Sequence, residues 1–132
     1  MKDAIDVQLK KPKTIIKVYD FMWRDLELKG SEILVYAYIH QFPVFFFTQE
    51  DMARIIGINI KTLIKILKEL EVKRLIYKQQ IKVYGNLKRN VYVALFKPDR
   101  RLTYEQAQEA CQSGLEKITA YYKLKELYKS SF

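Results

Sequence analysis

Apolar residues recur along the chain in two periods, and the places where the period changes divide it into elements. From Ile15 to Leu28, the residues Ile15, Val18, Phe21, Met22 and Leu26 fall at spacings of three, three, one and four, with Tyr19 and Trp23 beside them. That spacing predicts a short amphipathic helix. Gly30 breaks it, and Ser31 stands as the N-cap of a strongly apolar helix through Leu34, Val35, Tyr38 and Ile39, the expected central core element. "PVFFFT" then begins at a proline and ends at a capping residue, which predicts a short strand or extended linker.

Thr48 opens the next helix, with Asp51 three residues on in a shortened capping box. That helix buries Met52, Ile55 and Ile56 and stops at Gly57, which supplies the left-handed exit. Asn59 caps a second helix to about Lys73, in which Leu63, Ile66, Leu67 and Leu70 form an inward stripe. After Arg74 the period becomes strand-like in "LIYKQQIKVYG" and "NVYVALF", joined at Gly85-Asn86, and this predicts a hairpin with a basic tip at Lys88-Arg89. Val91, Val93 and Leu95 would share one of its faces and Tyr92 the other. Thr103 and Gln106 box the start of a long last helix, whose apolar stripe runs Tyr104, Ala107, Cys111, Leu115, Ile118 and Tyr122. Gly114, inside that helix, marks a close contact, a kink or a weak point.

The fold class expected from this order is mainly α with a small β-hairpin, an α+β winged helix-turn-helix carrying a long C-terminal helix. Residues 1–14 read as a flexible basic arm, either frayed or touching DNA, residues 15–98 as the winged domain, and residues 99–132 as the terminal helix.

Charge sharpens that picture. The chain of 132 residues carries +9, and the excess sits between Arg54 and Arg101. There thirteen basic residues face three acidic ones, Glu69, Glu71 and Asp99, leaving the flanks close to neutral. A basic window on a structured segment suits a polyanion-binding surface. Cys111 is the only cysteine, the opening "MKDAIDVQLKKPK" is too polar for a signal peptide, and no long apolar run appears. These point to the cytoplasm.

"FTQEDMARIIGINIKTLIKILKELEVKRLIYKQQ" resembles the winged-helix cores of bacterial transcription regulators. The preceding "KVYDFMWRDLELKGSEILVYAYIHQF" is similar to the lead-in of helix-turn-helix proteins in phage and plasmid replication-initiation modules. The resemblance spans about Lys17 to Phe96. It implies a helix from Asn59 to about Lys73 in the major groove of double-stranded DNA and a wing on phosphate or the minor groove. It also implies a bacterial or mobile-element protein acting as a transcription regulator or replication-initiation factor.

The candidate DNA-binding residues follow from period and charge. Ile60, Lys61, Ile64, Lys65 and Lys68 face outward on the second helix, with Thr48 and Asn59 at its approaches and Thr62 at a position the resemblance makes a phosphate ligand. On the wing, Lys78, Lys82, Lys88 and Arg89 would position phosphate or simply protect a strand edge. Ile60 and Ile64 cannot discriminate bases by hydrogen bonding; they contact thymine methyls, join a wider core, or meet a protein partner in a replication or regulatory assembly.

The stripe Tyr104, Ala107, Cys111, Leu115, Ile118 and Tyr122 is the candidate dimerisation surface of a homodimer. Its alternative is packing back against Trp23 and the first helices. No enzymatic constellation appears. One histidine, His40, and one cysteine cannot build a zinc site of usual spacing, and no glycine-rich phosphate loop or nucleophile motif is present, so neither metal nor other cofactor is expected. An RNA reading finds no aromatic stacking ladder.

Overall fold

The computed structural model describes residues 4–9 and 14–131. The N-terminal segment departs from the expected helix. β1 (Ala4–Leu9) and β2 (Thr14–Tyr19) pair antiparallel, and helix is confined to α1 (Phe21–Arg24). The apolar spacing from Ile15 onward also contains a strand signal: Ile16 and Val18 are buried while Ile15 and Lys17, which alternate with them, are exposed. In a run of β-branched residues that alternation wins over the looser helical period. β2 backs onto α2 (Ser31–His40), and the Lys17 N–H donates to the Gln41 side chain at 2.7 Å. Of the expected basic arm, residues 1–14, residues 4–9 form β1, and its KKPK stretch at residues 10–13 lies outside the described residues.

α2 is the central core helix. Its residues from Val35 to His40 are buried. Gly30, not Ser31, holds the N-cap position and gives no side-chain cap; instead the Glu32 carboxylate accepts the Lys29 N–H at 3.1 Å. The segment after α2 is a bent loop, in which Phe45 alone makes an isolated bridge to Tyr92.

α3 (Gln49–Ile56) and α4 (Ile60–Val72) follow the local rules closely. Thr48 Oγ1 accepts the Asp51 N–H at 3.1 Å, Gly57 exits with φ 82°, and Asn59 Oδ1 accepts the Lys61 N–H at 2.7 Å. Leu63, Ile66, Leu67 and Leu70 are all buried. α4 ends in a Schellman arrangement: the Leu75 N–H bonds the Leu70 carbonyl at 2.9 Å and the Arg74 N–H bonds that of Glu71 at 3.0 Å. Arg74 carries the left-handed conformation there, at φ 60°, where glycine is usual.

The wing is β3 (Ile76–Tyr84) paired antiparallel with β4 (Leu87–Ala94), turning at Gly85-Asn86. Its two faces serve two cores. Ile76, Tyr92 and Ala94 join the helix-turn-helix core, whereas Ile81, Val83, Val91, Val93 and Leu95 form a second core on the far side. A short pair, β5 (Phe96–Lys97) and β6 (Arg100–Arg101), leads to α5 (Tyr104–Ser131). Thr103 and Gln106 exchange reciprocal bonds of 2.9 and 3.1 Å at its start, as the capping box requires.

The surface that covers the α5 stripe is the far face of the wing. Ala107, Cys111, Ile118 and Tyr122 are buried in the second core, Leu115 packs at its edge, and Tyr104 stays 44% exposed beside Tyr77. Neither Trp23 nor the first helices fill that role. The stripe's need for an apolar partner is met within one chain. The Tyr122 hydroxyl also donates to the Phe46 carbonyl, which ties α5 to the segment preceding α3. Gly114 lies over Val44, with room for a Cβ at ordinary contact, 3.8 Å from Val44 and 3.6 Å from Ile118, and the helix runs through it unbroken.

Candidate nucleic-acid interface

With its stripe buried, α4 turns Lys61, Thr62, Ile64, Lys65 and Lys68 to the outside. None of those three lysines has an ion-pair partner among the described residues. No acidic residue occupies the first turn of α4, so no carboxylate offsets the positive potential of its amino end, where Asn59 caps one N–H. Ile60 and Ile64 part company. Ile60 is half-buried against the core, while Ile64 is 44% exposed among the lysines.

The hairpin register sets the second side of the surface. Lys78 opposes Tyr92, Gln80 opposes Asn90 and Lys82 opposes Lys88, so these residues share the face that meets α3 and α4. Two contacts tie it there: Gln49 Nε2 donates to the Tyr92 hydroxyl at 3.1 Å, and Lys78 Nζ lies 3.8 Å from a Glu71 carboxylate oxygen. The Lys78–Glu71 pair is solvent-accessible and contributes under about 1 kcal/mol. Lys82 and Lys88 are both exposed and directly opposite. Like charges across a pair of strands are destabilising, and a bound polyanion would reverse that sign.

Arg89 departs from the expected tip. The turn belongs to Gly85-Asn86, and Arg89 stands on the other face, paired with Ile81, its guanidinium 5.2 Å from the Tyr122 ring centroid. One guanidinium N–H reaches the Lys88 carbonyl at 2.9 Å. Arg89 therefore braces the wing against α5 as well as adding charge.

Between the start of α3, the wing and α5 lies a cleft of about 440 Å³, walled by Thr48, Gln49, Gln80, Lys88, Asn90 and Lys125 among others. Gln49, Gln80, Asn90 and Lys125 were not among the expected site residues. Strand alternation from Lys88 would have found Asn90, but Lys125 comes from a helix whose docking no local pattern specifies. Lys125 bonds Asp51 at 3.1 Å, and Arg54 reaches the same carboxylate at 3.3 Å. Burial pushes that carboxyl up, yet the two cations with the Thr48 hydroxyl outweigh it and hold Asp51 below its ordinary range. The capping box at α3 is consequently one-sided, because the Asp51 carboxylate serves Lys125 and Arg54.

Two reactive side chains lie in apolar surroundings. Burial raises the Cys111 thiol to about 11, which leaves it protonated and inert. Burial, with help from Lys97, lowers His40 to about 4, among the rings of Tyr19, Phe21 and Tyr36. Among the described residues no group of histidine, cysteine and carboxylate side chains could hold a metal ion, and no helix is long and apolar enough to cross a membrane.

Residues 26–76 match the family model described as "Helix-turn-helix domain". The match takes in α2, α3 and α4 and stops where the wing begins. No curated protein sequence matches the chain. Among solved structures, the chain is similar to one described as a possible transcriptional regulator from Methanosarcina mazei Go1, at 18% identity and a TM-score of 0.49, with 96% of this chain and 98% of that one covered. A likeness of that size carries no functional argument.

Proposed function

We propose that the protein binds double-stranded DNA as a transcription regulator, with α4 against the major groove and the wing on adjacent phosphates. The observation that carries this reading is the outer face of α4, where Lys61, Lys65 and Lys68 stand exposed with no ion-pair partner among the described residues, next to a helix-turn-helix frame. Lysines of this kind position a protein on phosphates and reach guanine edges. Lys82 and Lys88 extend the same charge onto the wing.

Sequence preference in this arrangement is modest, because the exposed apolar residue, Ile64, can meet a thymine methyl but no hydrogen-bonding edge. A mobility shift over a random duplex library at two salt concentrations tests binding and preference together. Retention of a large, salt-sensitive fraction of the library, with weak enrichment for thymine-containing sites, is the expected result; no shift at low salt would overturn the reading. Where a site is two-fold symmetric, two copies would meet through residues that α5 leaves exposed, such as Tyr104 at the start of the stripe and Leu124. Sedimentation with and without a palindromic duplex reads that pairing.

A further inference from the structure

We propose that the trough between the segment 41–46 and α5 is a binding site for a small amphiphile with a single carboxylate head. Two depressions make up this trough. One, of about 640 Å³, is walled by His40, Gln41, Lys97, Arg100, Gln106 and Glu109; the other, of about 290 Å³, by Val44, Phe46, Gly114, Lys117 and Ile118. They adjoin, sharing the wall residues Phe42, Pro43, Ala110 and Ser113. One end therefore holds two cations, Lys97 and Arg100, with one carboxylate, Glu109, and the other is mainly apolar with Lys117 on its wall.

The two cations of the polar end have no bonded counter-ion among the described residues, although Glu109 stands on the same wall. Arg101, the neighbouring cation, is turned away, 4.8 Å from the Phe96 ring centroid. Lys97 is half-buried, and both burial and the adjacent Arg100 hold its ammonium below the usual lysine range. His40 beside it is 9% exposed, with Nε2 lacking a hydrogen-bond partner among the described residues. Two cations gathered against a half-buried wall repel each other, and a carboxylate placed between them would relieve that repulsion.

The apolar end sets the rest of the ligand. The missing side chain at Gly114 leaves a gap beside Val44 and Ile118 that an added Cβ would enter at ordinary contact. From Gln106 to Ile118 the axis of α5 rises about 18 Å, enough for a chain of roughly eight carbons and its head. The size and the pairing of an apolar floor with a few convergent polar groups are those of a small-molecule site. The trough also adjoins the segment that leads through Phe45 to the Thr48 cap, so an occupant lies against the frame of α3. Any effect on DNA rests on the function proposed above, whereas ligand binding is measured without DNA and fails or succeeds separately.

The test is titration of the full chain, free of DNA, with octanoate, benzoate, 1-octanol and acetate, followed by backbone amide chemical shifts. Octanoate should give saturable shifts centred on Lys97, Ser113 and Gly114 and bind at least about tenfold more tightly than octanol or acetate. Lys97→Met with Arg100→Gln should reduce octanoate to the affinity of octanol and leave octanol unchanged. Gly114→Leu should abolish both. Should the double variant not fold, Lys97→Gln alone should show the same loss in part. Benzoate binding weaker than octanoate supports an alkyl ligand; benzoate binding tighter keeps the site and makes its ligand aromatic. No saturable shift with octanoate up to about 10 mM, or equal affinity for octanoate in the folded cation variants, would overturn the proposal.

Discussion

Arg74 shows how one residue can sit against its own preference. It occupies the left-handed position that closes α4, with both Schellman hydrogen bonds formed around it. A side chain there costs about 1 kcal/mol relative to glycine, so Arg74→Gly should raise stability by roughly that amount in urea denaturation. His40 gives a pH signature. Its folded value is depressed to about 4, so the folded state holds the imidazole neutral while the unfolded chain protonates near 6.5. The stability is fully present above that unfolded value and is lost as pH falls toward 4. It should amount to about 2 kcal/mol lost by pH 5. As His40 is the only histidine, His40→Phe should flatten the denaturation midpoint between pH 5 and 6.5. A wild-type midpoint flat across that range would contradict the burial.

At the scale of elements, the α5–wing contact decides the architecture. Ile118 is buried in the second core while Tyr104 is largely outside it. Ile118→Ala should cost about 2–4 kcal/mol, in the range of large-to-small core substitutions, and the cost should not depend on protein concentration. Tyr104→Ala should cost well under about 1 kcal/mol. A concentration-dependent midpoint would instead show that a second copy supplies the surface for this stripe.

The sequence reading succeeds at most local signals, though not at Ser31, where Gly30 takes the N-cap position. Thr48, Gly57, Asn59 and the Thr103–Gln106 box each specify their own turn of chain, and the structure forms all four. It fails at Ile15–Leu28, where a short apolar run fits two periods and only packing of Ile16 and Val18 against the body chooses strand. It is incomplete at α5 because a stripe announces burial without naming its partner. Two unmatched apolar faces, that of α5 and that of Val91, Val93 and Leu95, were nevertheless both visible, and the fold pairs them. The exposed lysines of α4 were legible from the period, whereas the placement of Lys125 and Arg89 depended on that docking.

Across the whole molecule, the wing forms a middle layer with a core on each side, and its polar outer portion and α4 present one basic surface. The exposed lysines of that surface have a measurable consequence, salt dependence. If Lys61, Lys65, Lys68, Lys82 and Lys88 each neutralise one phosphate, the logarithm of the association constant should fall against the logarithm of salt concentration with a slope of about −4.5. The central claim is tested most directly by measuring that slope for the wild type and for Lys61→Ala with Lys65→Ala. The account predicts a slope shallower by about 1.8 in the double variant, with weaker binding to every duplex. Equal slopes and equal affinities in the two proteins would contradict it.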